Sequence, residues 1–270
     1  EVVFLGRLNT MPLVEERGWE PDLETIKNSV DAKTRAIVVI NPNNPTGTLV
    51  APATLRAIVE FAVGRGLLVI ADEIYDKLVL DGPPPAPIAS ISEDALVLTF
   101  NGLSKAYLAP GWRMGWGILS GPAREATECF DAIAKMLRAR LCSPHPTMYA
   151  VKPALEGDQG HIARAIEKLR VRRDATMRAI EAIPRMSCVR PQAAFYAFPK
   201  LDIPGTDEAF IGALIRATGV MAVHGGGFGQ AAGSSHLRLV FLPPEETIRE
   251  AMGLLGGFLK TYALESARKG

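Results

Sequence analysis

The chain has 270 residues, 48% hydrophobic and 22% charged, the makeup of a globular protein with one large domain or two moderate ones. Thirty basic against twenty-nine acidic side chains leave a formal charge of +1 with no block of like charge, so no nucleic-acid footprint is indicated. Cys129, Cys142 and Cys188 are odd in number and widely spaced, which fits a reducing, cytoplasmic setting and argues against a disulfide scaffold or zinc ribbon. His145, His161, His224 and His236 lack metal-ligand spacing, so no metal site is expected.

No apolar run reaches the roughly 18 residues of a membrane span. The opening stretch, Glu1-Val-Val-Phe-Leu-Gly-Arg7, shows neither a basic n-region nor a small-residue cleavage site, so no leader is expected; the absence of an initiator methionine leaves open a longer polypeptide.

In chain order, Pro21 and the acidic residues around it mark a first helical turn, with Leu23, Ile26 and Val30 at helix-face spacing. Ala36–Ile40 is a continuous apolar run of strand length, as in a parallel sheet covered on both faces. Asn41-Pro-Asn-Asn44-Pro-Thr-Gly47 follows, a stiff turn presenting amide side chains at that strand's carboxyl end. Leu55, Ile58, Val59, Ala62 and Val63 define an amphipathic helix over 52–63, stopped by Gly64 and Gly66.

Leu67–Ala71 is a second buried strand, with Asp72-Glu-Ile-Tyr75 at its end. A carboxylate and a phenol three apart at that edge can converge on one small ligand; the alternative is an acidic pair at a helix N-terminus. Asp72 and Glu73 point to opposite sides of an extended strand, which argues against an acid/base pair of the glycoside type. After the Pro-rich loop 81–87, the strand Ala95–Phe100 leads into Asn101-Gly-Leu-Ser104-Lys105, with Pro110-Gly111-Trp-Arg113 beyond and another strand at 114–119. Three strand–helix repeats thus place Asn44, Asp72, Tyr75 and Lys105 along the edge where open α/β sheets bind ligands. A lysine amine with an arginine eight residues on suggests Schiff-base chemistry on a phosphorylated aldehyde; a solvated Lys and Arg in a surface loop is the plain alternative.

The expected helices continue at 123–136, 147–155 and 161–183, the last a connector between domains. Beyond Pro184 the texture becomes a smaller α+β domain: strands at 195–198, 220–223 and 236–242, with helices at 206–218 and 244–265. His224-Gly-Gly-Gly-Phe-Gly229 fits neither nucleotide-binding glycine pattern and reads as a tight turn. Arg238 alternates with Leu237, Leu239 and Phe241, so its charge must meet an anion or reach solvent. A structural salt bridge and a substrate carboxylate are both open.

Taken together, Asn-Pro-x-Asn-Pro-Thr-Gly, Ala-Asp-Glu-Ile-Tyr, Ser-Lys with Gly-x-Arg-x-Gly, and a late-strand Arg resemble the class I pyridoxal-phosphate aminotransferases of fold type I. Asn101-Gly-Leu-Ser-Lys-Ala-Tyr with Gly111-Trp-Arg-Met-Gly-Trp116 is most similar to the alanine (glutamate–pyruvate) transaminase branch. The resemblance runs over nearly the whole chain. It implies an α/β fold, a mostly parallel sheet flanked by helices, with a large domain at 1–168 and a small one at 169–270. It implies that Lys105 forms the Schiff base and shuttles the proton, while Asp72 pairs with the pyridine nitrogen. Tyr75 and Asn44 would bond the ring's phenolic oxygen, Ser104 and Arg113 hold the phosphate, and Arg238, with Asn44 beside it, grip the substrate carboxylate.

Amino acids and 2-oxo acids are the implied partners, and a homodimer the implied assembly. Gly102 departs from the family, which often carries a serine there. Family members also have a long N-terminal portion, and this chain is expected to begin after it. An inactive fragment, a pyridoxal-phosphate carbon–sulfur lyase, and a non-catalytic sensor are the rival functions; the sensor lacks any helix-turn-helix or basic stretch here.

Overall fold

The structure, a computed structural model, describes residues 7–11 and 13–267; of the opening run that bears on a leader, residues 1–6 lie outside them. A short hairpin, β1 (Leu13–Val14) and β2 (Glu20–Pro21), leads into α1 (Leu23–Ser29). Pro21 therefore precedes the helix instead of opening it. Asp22 is the N-cap, accepting from Thr25 N at 3.3 Å.

The main sheet has the order β3 (Ala36–Ile40), β4 (Leu68–Asp72), β5 (Val97–Gly102), β6 (Gly115–Ser120). β3, β4 and β5 are parallel and β6 is antiparallel to β5. Helix α2 (Pro52–Arg65) joins β3 to β4, with Pro52 at its start and Gly66 left-handed at its end. Between β4 and β5 no such helix forms. Asp81-Gly-Pro-Pro-Pro-Ala-Pro87 removes backbone donors and fixes φ, so the connection carries only a short 3-10 turn, Ile88–Ser90. The expected three-fold strand–helix repeat is thus one helical crossover and one irregular one.

Only one face of the sheet is covered. Ile37, Val39, Val69, Ala71 and Val97 are buried against Leu55, Ile58, Val59 and Ala62 of α2. On the other face Val38 and Phe100 remain 49% and 44% exposed, although every strand is apolar on both sides; Ile118 of the edge strand β6, opposite Thr99 and so on the α2 side, is 56% exposed.

The second core begins with α3 (Ala123–Leu137), α4 (His145–Met148), α5 (Val151–Glu156) and the long α6 (Gly160–Glu181) as its approach. Residues 145–156 form two short helices where one is expected over 147–155. Then come β7 (Met186–Ser187), β8 (Tyr196–Ala197), β9 (Lys200–Leu201), α7 (Asp207–Thr218), β10 (Val223–His224), β11 (Leu237–Val240) and α8 (Glu245–Ala267). β10, β11 and β8 form a small antiparallel sheet. Leu237, Phe210, Leu214, Ile180, Leu255 and Leu259 fill the core beneath it. Tyr75, Leu78, Leu80 and Ala106, from the large-sheet part of the chain, belong to this core too. Among the described residues no helix is long and apolar enough to cross a membrane.

Candidate active site

Register brings the three strand ends together: Ile40 pairs with Asp72, and Asp72 with Phe100. Asn41 N donates to Asp72 O (3.1 Å) and Glu73 N to Phe100 O (3.0 Å), so all three following loops leave the sheet at one level. Asn101 ties two of them, its Nδ2 donating to Glu73 O at 3.0 Å and its Oδ1 accepting from Gly102 N at 2.7 Å.

The amides of the first loop divide their work. Asn41, buried, accepts from Val50 N at 3.0 Å, and Asn43 Oδ1 accepts from Thr46 Oγ1 at 2.9 Å; both build the turn. Asn44 looks outward, and its Oδ1 accepts from Arg238 Nη1 at 3.0 Å across 194 residues.

Arg238 sits on β11, between buried Leu237 and Leu239 and on the opposite face, as alternation requires. Its guanidinium carbon lies 5.0 Å from the Tyr196 ring centre and 4.8 Å from that of Phe228. Its Nε is buried and has no hydrogen-bond partner among the described residues. Tyr196 shares a 2.8 Å hydrogen bond with Tyr75, and Lys105 Nζ lies 5.6 Å from the Tyr75 ring and 5.5 Å from that of Phe195. Burial first, then the Tyr196 hydroxyl and the Asp72 charge, push the Tyr75 phenol far above its ordinary range, while Arg238 pulls it down. Tyr75 is a neutral hydroxyl at any physiological pH.

Tyr196 reaches this place because the chain before it is fastened on both sides. Gln192 N and Ala193 N both donate to Gly47 O at 2.8 Å, Leu80 N donates to Gln192 O at 2.8 Å, and Ala194 N to Leu78 O at 2.8 Å. Arg173 of α6, only 3% exposed, donates to Pro191 O (3.1 Å) and pairs with Asp81 (2.5 Å) and Asp174 (2.9 Å).

Asp72 faces the open side of the sheet, in a shallow apolar depression of about 330 Å³ lined by Val38, Ile40, Ile70 and Phe100. Its Oδ1 accepts from Ile74 N at 3.2 Å. Glu73 points the other way, into the protein, where Ile88 N donates to Oε1 at 2.7 Å. Burial pushes the Glu73 carboxyl above its usual range, and does the same to Asp76. Ser104 is half-buried beside Lys105. Arg113 is exposed, and its Nη1 donates to Pro110 O at 2.7 Å. Gly102 has a local reason to lack a side chain: a Cβ there would lie 2.7 Å from Met114 O and 2.9 Å from Gly115 Cα, where β5 and β6 close together.

Of the residues expected from sequence, Lys105, Tyr75, Asn44 and Arg238 are brought together, and Asp72 is near enough to act on the Tyr75 charge. Arg113 is held apart, on its own turn. Phe195, Tyr196 and Phe228 link the cluster and were not among the expected site residues. The dense aromatic spelling Phe195-Tyr-Ala-Phe198 was the signal for the first two, and it reads equally well as core; Phe228 sits in the glycine run read as a tight turn.

An amine, a carboxylate and a phenol at the carboxyl edge of a largely parallel sheet, with an arginine of the later antiparallel sheet beside them, suit an aldehyde cofactor in a fold type I arrangement. Residues 6–255 match the model of the aminotransferase class I and II family, and the chain belongs to that family. It is 39% identical over 254 residues to glutamate-pyruvate aminotransferase AlaA of Haemophilus influenzae, covering 92% of this chain and 63% of that protein. Alanine aminotransferase of Mycobacterium bovis is likewise 39% identical, with 92% and 59% covered. Among solved structures, alanine aminotransferase from Pyrococcus furiosus superposes with a TM-score of 0.90 at 38% identity, over 95% of this chain and 65% of that one. The chain thus spans about three fifths of the length of the curated relatives it matches.

The family is pyridoxal-phosphate-dependent, and the donor set fits that group. Lys105 offers a primary amine to an aldehyde, Asp72 a carboxylate to a pyridinium, and Tyr75 a neutral hydroxyl to a phenolic oxygen. The unpartnered Nε of Arg238 is a donor still to be satisfied by an acceptor.

Proposed function

We propose that this chain carries the cofactor-binding and substrate-anchoring parts of an aminotransferase moving an amino group between an L-amino acid, alanine or glutamate, and a 2-oxo acid. One observation carries the reading. Arg238, with an unsatisfied buried donor, is joined to Lys105 through Tyr196 and Tyr75 by contacts that cross the molecule.

When bound, pyridoxal phosphate supplies an aldehyde for amine condensation and a ring that takes up the electrons released at Cα. Lys105 would be the amine that holds it and, when free, would carry the proton to and from the substrate Cα on Nζ. Asp72 holds the proton of the ring nitrogen. Tyr75 and Asn44 serve the phenolic oxygen, and Ser104 and Arg113 the phosphate. Arg238 orients the substrate by its carboxylate, with Asn44 fixing one edge of the guanidinium.

The proposed division is a large domain at 1–168 and a small one at 169–270, the site lying between them. A homodimer is proposed on the apolar stretch from α3 to α5: α3 buries no residue, and Phe130, Met136, Leu137, Leu141, Met148 and Tyr149 are all exposed. The free thiols Cys129, Cys142 and Cys188 suit a cytoplasmic protein.

The test is spectroscopic. With pyridoxal phosphate added, the chain is expected to show a visible absorbance band that Lys105→Ala abolishes and that L-alanine shifts, with 2-oxoglutarate restoring it. No band at saturating cofactor sinks the proposal for this chain. Pyruvate and ammonia released from cystathionine without an oxo acid would replace it with a carbon–sulfur lyase.

A further inference from the structure

The glycine run at 224–229 is the sequence motif that the proposed activity leaves without a role. It forms one 3-10 turn, Gly225–Phe228, closed by Gly229 in the left-handed region at φ 73°. The turn is fastened at its base. Asp207, buried at the start of α7, accepts from Gly226 N (3.1 Å) and from Gln230 Nε2 (2.6 Å). With Nε2 of Gln230 donating to Asp207, its Oε1 is left to accept from His236 Nδ1 at 2.9 Å. Gly225 is packed closely enough that a Cβ would lie 2.8 Å from His236 Cβ and would displace the Gln230 amide.

What this turn presents is Phe228. Its ring lies against Phe198 edge-on, with centres 5.9 Å apart, and offers its face to the Arg238 guanidinium at 4.8 Å. Tyr196 offers a second ring face at 5.0 Å. A guanidinium laid against two rings keeps its N–H edge for acceptors. One nitrogen of that edge is already used by Asn44 Oδ1, and Nε is unpartnered.

We propose that Phe228 is a positioning residue for substrate. The glycine turn lays its ring on Arg238, so that the guanidinium meets a planar carboxylate edge-on and in one orientation. The inference rests on Arg238 being the substrate anchor, and needs no chemistry at Lys105.

The test therefore uses propionate, a carboxylate without an amine, with binding followed by ligand-observed NMR on the chain with pyridoxal phosphate added and, in parallel, absorbance of the Lys105-dependent band. Arg238→Met is expected to abolish binding. Phe228→Leu, which keeps bulk but removes the π face, should weaken it about 3- to 30-fold, and Phe228→Tyr should restore it to within roughly twofold. In turnover, Phe228→Leu should raise KM for amino and oxo acids alike and leave kcat nearly unchanged.

Unchanged binding in Phe228→Leu, or equal losses in the Leu and Tyr variants, overturns the proposal, because the ring then only fills space. If the band forms and the wild type ignores propionate, the anchor role of Arg238 falls and this inference with it. If propionate binds as described and no band forms, the inference stands and the transaminase reading fails. Should Phe228→Leu not fold, Asp207→Asn loosens the base of the turn without touching Arg238: weaker propionate binding supports the proposal and unchanged binding overturns it.

Discussion

Between Lys105 and Arg238 each step is a contact: amine to Tyr75 and Phe195, Tyr75 to Tyr196, Tyr196 to guanidinium, guanidinium to Asn44. Across the same edge of the sheet, Arg113 stands exposed on its own turn and Asp72 faces a shallow apolar depression. The difference follows from who supplies the walls. The first side is built where two parts of this chain meet, so its polar groups are desolvated and must find each other. The second side is bounded by one part alone, and water solvates what packing does not. Substitutions on the first side should therefore cost both stability and binding, and those on the second should cost little beyond one contact.

The largest effect expected from that contrast is at the clasp behind Tyr196. Arg173→Met removes a buried charge's side of two ion pairs, with Asp81 and Asp174 still partly open to water, at 45% and 38% exposure. That relief trims the usual cost of breaking a buried pair to about 2–3 kcal/mol, read as a lower midpoint in urea unfolding. A wild-type midpoint would break the idea that this side is held by the clasp. Next comes Arg238→Met, expected to raise KM for both substrates about 10- to 100-fold with a smaller change in kcat, as for a lost charged hydrogen bond. Equal losses in KM and kcat would mean that Arg238 acts on the reacting atoms.

Glu73→Gln sharpens the comparison with pH. Burial raises the folded-state carboxyl pKa above its ordinary value of 4.5, so the folded protein binds the proton more readily than the unfolded chain. Wild-type stability attributable to this group is thus fully present below 4.5 and is lost as pH rises through the raised folded value. The Gln variant keeps an acceptor for Ile88 N and carries no charge. It should be the more stable protein at pH 7, by less than the Arg173 loss, and the gap should close near pH 4; a pH-independent gap in thermal midpoints contradicts the assignment to ionisation. The smallest effect belongs to the open side. Arg113→Ala should weaken pyridoxal phosphate binding only a few-fold, about 1 kcal/mol or less, because its charge is solvated; a loss comparable to Lys105→Ala would show that both sides are equally assembled.

Much of the sheet edge was legible in the sequence. Three apolar runs, each followed by turn chemistry, put Asn44, Asp72, Tyr75 and Lys105 at strand ends because strand direction and turn position are local properties. The alternation around Arg238 likewise told which way it points. Pattern misled where composition overrode period: the proline run at 83–87 excluded the helix that a repeat would have required. It was silent about Gly102, whose reason is an approach of β6 visible only in the pairing.

By itself, then, the sequence determined the three parallel strands, the long helices and the family. Tertiary structure alone decided that Tyr196 and Phe228 flank Arg238, that Asn44 serves it, and that Arg113 turns outward. The reason is reach. Periodicity states which face a residue takes, a matter of neighbours a few positions away. Tyr75 and Tyr196 are 121 residues apart, and Asn44 and Arg238 are 194 apart. Which partner a face meets at such separations is set by how two cores close on one another, and no local pattern carries that.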